Sequence, residues 1–187
     1  MNATDLLRHF YPVDTPLRRL LILHSTQVRD KALQILSNPK CASLDINVQI
    51  VNDGAILHDI GIAECDAPGI LCNGTSPYLL HGVIGAGMLR KYGAENGLDL
   101  EPFARICERH TGAGLTKEDI IRQQLPMDIR DYLPETLEEK LVCLADKFFS
   151  KSGEQKEKPM ERIRASMLKF GEDTLARFDA LCEEFYI

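Results

Sequence analysis

The apolar residues of this 187-residue chain recur at helical spacing nearly from end to end. That rhythm limits the fold more than any other feature. Leu17, Leu20, Leu21, His24, Val28, Leu33 and Leu36 fall on one stripe, with Thr15 placed to cap and Pro16 at the first helical position. The pattern predicts a long helix over 15–37, closed by Ser37-Asn38-Pro39, with a short helix before it around Thr4 to Tyr11. Asp45 is the expected cap of a third helix, whose Val48, Val51, Ala55, Ile56 and Leu57 run into His58-Asp59 before Gly61 stops it. Further helices are expected from Ser76-Pro77 to near Gly93 and over 101–110, 137–150, 159–170 and 172–185. Thr116 with Asp119 and Thr136 with Glu139 have the spacing of capping boxes. No segment alternates with period two over five or more residues, so no sheet is expected. The fold class that follows is an all-α single-domain bundle of about seven to nine helices. Residues 62–76, with Pro68, Gly69 and Asn73-Gly74, read as a long loop suited to rim a site, and KSGEQKEKP at 151–159 reads as a solvated linker.

Charge removes one class of function. Against 28 acidic residues there are 22 Lys and Arg, and the net charge of −6 disfavours binding to a nucleic-acid polymer, while a local cationic pocket for a small anion remains compatible. No apolar run approaches the ~20 residues of a spanning helix and the N-terminus lacks the pattern of a signal peptide, so a cytoplasmic protein without a membrane partner is expected. Cys41, Cys65, Cys72, Cys107, Cys143 and Cys182 form no CxxC pair and are read as buried free thiols.

The chemistry concentrates in a few residues. Of five histidines, His24, His58, His81 and His110 occupy core-facing or helix-end positions, and Asp59 and Asp146 follow apolar runs, AILH and LVCLA. A lone histidine there is ordinarily a hydrogen-bonded core residue. A buried carboxylate is costly unless it is paired or bound to a cation. A divalent metal explains all six at once, and mixed His/Asp ligation without thiolate points to iron, manganese, cobalt, nickel, zinc or magnesium with open positions for water.

His24, the doublet His58-Asp59 within HDIG, and Asp146 within ADK, in that order, resemble the HD-domain superfamily of metal-dependent phosphohydrolases. HGVIGAGML from His81 and ERHTGAG around His110 are similar to the segments that carry extra histidines in the dinuclear subgroup, as in HD-type hydrolases of symmetrical dinucleoside tetraphosphates and in small uncharacterised HDIG proteins. The resemblance implies a helical domain over 1–187, with a metal-binding core over about 15–150 and C-terminal packing helices over about 158–187. It also implies one or two ions: His24, His58 and Asp146 on the first, His81 and His110 on the second, and Asp59 bridging them. Two such ions can acidify a bridging water and neutralise the phosphoryl oxygens it attacks, which removes the need for a protein nucleophile. Asp59, His58 and Lys147 are the expected catalytic residues. Two features depart from the pattern: Ile62 and Ala63 follow HDIG where many such proteins place Lys, and the GYP signature of cyclic-di-GMP phosphodiesterases is absent.

The remaining candidates divide between function and framework. Lys147 beside Asp146 either reaches a substrate phosphate or is a surface lysine. Arg29 and Arg109 are candidate phosphate clamps whose simpler reading is a solvated helix face, and Thr111, Gly112 and Gly114 read more simply as a helix stop than as an anion nest. Gly82, Gly85 and Gly87 lack the preceding strand of a dinucleotide fingerprint, and are expected to let a neighbouring helix approach and bring His81 to the centre. His9 is assigned no function. The expected activity is hydrolysis of a phosphate ester or anhydride in a small phosphorylated metabolite, nucleotides foremost. The alternative is a noncatalytic nucleotide- or metal-sensing module that regulates a partner. Residues 151–187 are expected either to close the core or to form the face of a homodimer.

Overall fold

The computed structural model describes residues 2–187. Nine α-helices occur among them: α1 Ala3–Phe10, α2 Pro16–Leu36, α3 Val48–Leu57, α4 His81–Asn96, α5 Glu101–Arg109, α6 Lys117–Gln123, α7 Leu137–Asp146, α8 Met160–Leu168 and α9 Glu172–Glu184. Thr15 accepts from the Arg18 N–H and Pro16 opens α2, as its sequence predicts. Thr116 and Asp119 close a reciprocal capping box. At Thr136 only half of the box forms, because the Glu139 carboxylate accepts from the Glu135 N–H and from Arg105 instead. The cap of α3 is Asn47, two residues beyond the expected Asp45. Nor does α4 stop at Gly93. It runs on to Asn96 and ends at Gly97, whose φ of 65° satisfies the left-handed cap.

The 62–76 segment departs from the expected loop. It holds three short strands, β1 Cys65–Ala67, β2 Cys72–Asn73 and β3 Ser76–Pro77, in the order β2-β1-β3, with β1 antiparallel to β2 and parallel to β3. Strands of two or three residues are too short for a period-two pattern to register. They fold the segment back on itself and lead it into α4.

Helix α3 is the axis of the fold, packed by α1, α2, α5 and α7. Its Val51 and Ala55 enter one apolar cluster with Val28 and Ile35 of α2, Leu141 and Leu144 of α7, and Phe178 and Leu181 of α9. Its Ile56 and Leu57 enter a second, with Leu6 and Leu7 of α1 and Leu89 of α4. Because α3 is apolar on both sides, its C-terminal end is carried into the interior between the two clusters. The C-terminal helices close the first cluster, with Phe178 and Phe185 fully buried. Gly82 lets α4 press on α5: a Cβ there would lie 2.3 Å from the Cys107 carbonyl oxygen, so only glycine permits the contact. No helix among the described residues is long and apolar enough to cross a membrane.

Candidate metal centre

Three of the four inward histidines sit at helix boundaries, and each ring is aimed by the carbonyl three residues before it. His58 caps α3, and its Nδ1 donates to the Ala55 carbonyl at 2.7 Å. His110 caps α5, and its Nδ1 donates to the Cys107 carbonyl at 2.7 Å. His81 begins α4, and its Nδ1 donates to the Tyr78 carbonyl at 2.6 Å. Carbonyls in the last turn of a helix lack an intrahelical partner, so a histidine at the cap can take one. With Nδ1 committed to a carbonyl, each Nε2 is turned inward and, on the neutral ring, presents a lone pair there. His24, from the middle of α2, completes the set.

The Asp59 carboxylate lies at the middle. Its Oδ2 is 3.2 Å from His24 Nε2 and 3.1 Å from His58 Nε2, and its Oδ1 is 3.3 Å from His81 Nε2 and 3.5 Å from His110 Nε2. Asp146 Oδ1 adds to the first group, 3.0 Å from His24 Nε2 and 3.5 Å from His58 Nε2. The six residues thus form two sets sharing Asp59, namely His24, His58, Asp59 and Asp146, and Asp59, His81 and His110. The turn that carries Asp59 is fixed by Tyr11, whose hydroxyl donates to the Ile60 carbonyl at 2.7 Å and accepts from the Ala63 N–H. Gly61 lets that turn lie against α4, since a Cβ there would fall 2.3 Å from the His81 carbonyl oxygen.

The donor set fits a cation. His81 Nε2 and His110 Nε2 face one another at 3.0 Å, both as acceptors if their Nδ1 atoms are protonated. Asp59 Oδ1 and His58 Nε2 are buried without a hydrogen-bond partner. Lone pairs opposing lone pairs in a low-dielectric interior are unfavourable unless a positive charge lies between them. The protein's own charges adjust accordingly. Burial works to lower the His58 pKa, but the neighbouring Asp59 and Asp146 carboxylates outweigh it and raise it to about 9. Burial carries His81 the other way, down to about 3, and also lowers His110. Burial opposes ionisation of Asp59, yet His58 and Lys151 hold its carboxyl well below the ordinary range. A divalent ion satisfies the same groups without requiring protons on the rings.

Two of the three basic candidates, Lys147 and Arg109, stand elsewhere than expected. Lys147 is 8% exposed, with its Nζ 2.9 Å from the His110 carbonyl oxygen and 2.7 Å from Asp146 Oδ2. It ties two ligand-bearing elements together and does not point outward. Arg109 is neither a free clamp nor solvated: its Nη1 donates to the Leu133 carbonyl and pairs with Glu135 at 2.7 Å. Arg29 pairs with its neighbour Asp30. Gly112 and Gly114 form a tight turn at φ values of 61° and 81°, as a helix stop requires. Ile62 is fully buried and brings no cation to the site. His9 stacks edgewise on Tyr92, away from the centre, and all six cysteines are free and buried.

Sequence reasoning missed two residues. Lys151, in the segment read as a solvated linker, places its Nζ 2.5 Å from Asp59 Oδ2 with its side chain only 11% exposed. Tyr78 stacks on the His81 ring, 4.6 Å between centroids and 15° between planes. The position of Lys151 five residues after Asp146 was the available signal, hidden by the polar run around it.

Comparison with known proteins adds three findings. The family model described as HD domain matches residues 21–150. An uncharacterized protein of Methanocaldococcus jannaschii is 37% identical over 126 residues, which cover 67% of this chain and 64% of that protein. Proteins named tRNA (cytidine(56)-2'-O)-methyltransferase from Thermoplasma volcanium and Picrophilus torridus are 35% and 34% identical over 70% of this chain, which spans only 32% of their length. No solved structure matches.

Proposed function

This chain belongs to the HD domain family, and from that premise we propose that it is a metal-dependent phosphohydrolase that cleaves a phosphate ester or anhydride of a small phosphorylated metabolite, a nucleotide foremost. One observation carries the reading: the two oxygens of a single carboxylate, Asp59, each face a separate set of imidazole Nε2 atoms. When bound, divalent ions supply Lewis acidity toward phosphoryl oxygens and bring the pKa of a water toward neutrality. The chain's own residues do the rest. His24, His58 and Asp146 hold the first position, His81 and His110 the second, and the backbone carbonyls of Ala55, Tyr78 and Cys107 keep three of those rings in one tautomer. Lys147 holds Asp146 in place from Oδ2, leaving Oδ1 turned to the centre. The net charge of −6 agrees with a small substrate rather than a nucleic-acid polymer. Methyl transfer to tRNA, in the names of two relatives, belongs to proteins of which this chain spans 32%, and it is not part of the proposal.

The test is elemental analysis of protein purified without added metal, followed by assay against a generic phosphodiester and a nucleotide panel with and without chelator. One or two equivalents of a divalent ion are expected, with turnover that chelation removes and the ion restores. Ion binding with no turnover of any substrate would favour the sensing module. Failure to bind any divalent ion would overturn both.

A further inference from the structure

Lys151 makes an unusual ion pair. Its Nζ lies 2.5 Å from Asp59 Oδ2, the oxygen that also faces His24 and His58. The ligand side chains of the centre are 0–6% exposed, apart from Asp146 at 12%. Lys151, at 11%, and Asp146 keep what little solvent exposure the centre has, and that side is its mouth. The loop that delivers it is anchored at several points: the Lys158 N–H donates to the Phe148 carbonyl at 2.8 Å, Gln27 Nε2 on α2 donates to the Gln155 carbonyl at 2.7 Å, and Lys31 pairs with Glu157 at 2.5 Å. The lysine is therefore brought to the mouth of the centre by an ordered segment, on a four-carbon stem that can swing while its backbone stays fixed.

The other basic groups nearby have partners that an incoming ion would leave alone. Lys147 keeps the His110 carbonyl, and Arg109 keeps Glu135 and Leu133. Lys151 differs, because a divalent ion in the first set claims the same carboxylate oxygen and repels the ammonium. The displaced group would stay beside the opening, where a phosphoryl oxygen approaching the ions would be its nearest new anion. Resting on the phosphohydrolase reading above, we infer that Lys151 occupies Asp59 in the ion-free protein and, once ions bind, turns to hold the substrate's phosphoryl group. The binding subsite is thus one ammonium at the mouth, suited to a terminal or bridging phosphate and not to a neutral ester.

Two titrations on the full chain test this, with Lys156→Met in the same loop as control, since Lys156 is exposed and paired with Glu154. First, Mn²⁺ is titrated calorimetrically into chelator-stripped protein. Lys151→Met should bind Mn²⁺ about threefold tighter or more than wild type, because a competing cation is gone. Second, inorganic phosphate is titrated into Mn²⁺-loaded protein. Lys151→Met should bind it about tenfold more weakly, with Lys151→Arg retaining most of the affinity. Weaker Mn²⁺ binding by Lys151→Met, or phosphate affinity equal to that of wild type, would overturn the inference while leaving the phosphohydrolase reading intact. A wild-type chain that binds neither Mn²⁺ nor any of iron, cobalt, nickel, zinc and magnesium in the same titration would instead overturn that reading, and this inference with it. Circular dichroism confirms that each variant is folded, and Lys151→Gln provides a second neutral variant should Lys151→Met fail to fold.

Discussion

Two of the regions that bury carboxylates handle the charge in opposite ways. Along α5 and α7, Glu108 meets Arg90 at 2.8 Å and Arg130 at 3.3 Å, and Glu139 meets Arg105 at 2.6 Å. Each buried acid there has a guanidinium, so the network is complete within the chain. Around Asp59 the neighbours are chiefly imidazole nitrogens, with one lysine at the mouth. The first arrangement joins helices, while the second turns carboxylate oxygens and imidazole nitrogens toward one another, an arrangement that a divalent cation would satisfy. Burial alone does not distinguish a functional carboxylate from a structural one. What faces its oxygens does.

The contrast can be broken most sharply at Asp59. Asp59→Ala is expected to lower hydrolysis by about a thousandfold or more and to abolish ion retention, read by turnover and elemental analysis of the same preparation. His110→Ala should cost about a hundredfold while one ion remains in the His24, His58 and Asp146 set; two full equivalents would contradict the assignment. In thermal melts of wild-type protein, an ion supplied at a hundred times its dissociation constant should stabilise the fold by about 2.7 kcal/mol, roughly 5–10 °C, and Asp59→Ala should not respond. The guanidinium network should behave differently. Glu139→Gln is expected to cost about 1–2 kcal/mol in denaturant unfolding with ion content unchanged, a modest figure because Arg105 keeps partial access to water.

The smallest effect concerns acid. Burial opposes ionisation of Glu108, but Arg90 and Arg130 hold its carboxyl below the ordinary 4.5. A folded-state value below the unfolded one means that the stabilisation is present above pH 4.5 and fades as the pH falls through the folded value. Glu108→Gln should therefore flatten the acid limb of the stability curve below pH 4.5, measured by urea midpoints across pH, and leave the neutral range parallel to wild type.

Much of this was legible in the linear chain, because helices announce themselves by period and buried polar residues stand out against it. His24 after four aliphatic residues, and Asp146 after LVCLA, are anomalies that a reader of the sequence can weigh, and the structure brings both within reach of Asp59. Other features left no such mark. Cys65–Ala67 is too short for alternation to register, and its pairing with Cys72 and Ser76 is a tertiary fact. In sequence Arg109 is any charged residue at the end of a helix, and its contacts with Glu135 and the Leu133 carbonyl exist only in the folded chain. Lys151 was concealed by its company, since a lysine among Ser, Gly, Glu and Gln carries no sign that its own stem turns inward.

The Cys107 carbonyl has two tenants: the Nδ1–H of His110 on one side and the bare Cα of Gly82 on the other. The crossing of α4 over α5 and the aim of the His110 ring are consequently one mechanical variable. A methyl group at position 82 would act as a wedge, tilting an imidazole it never touches and changing the gap between the two halves of the centre.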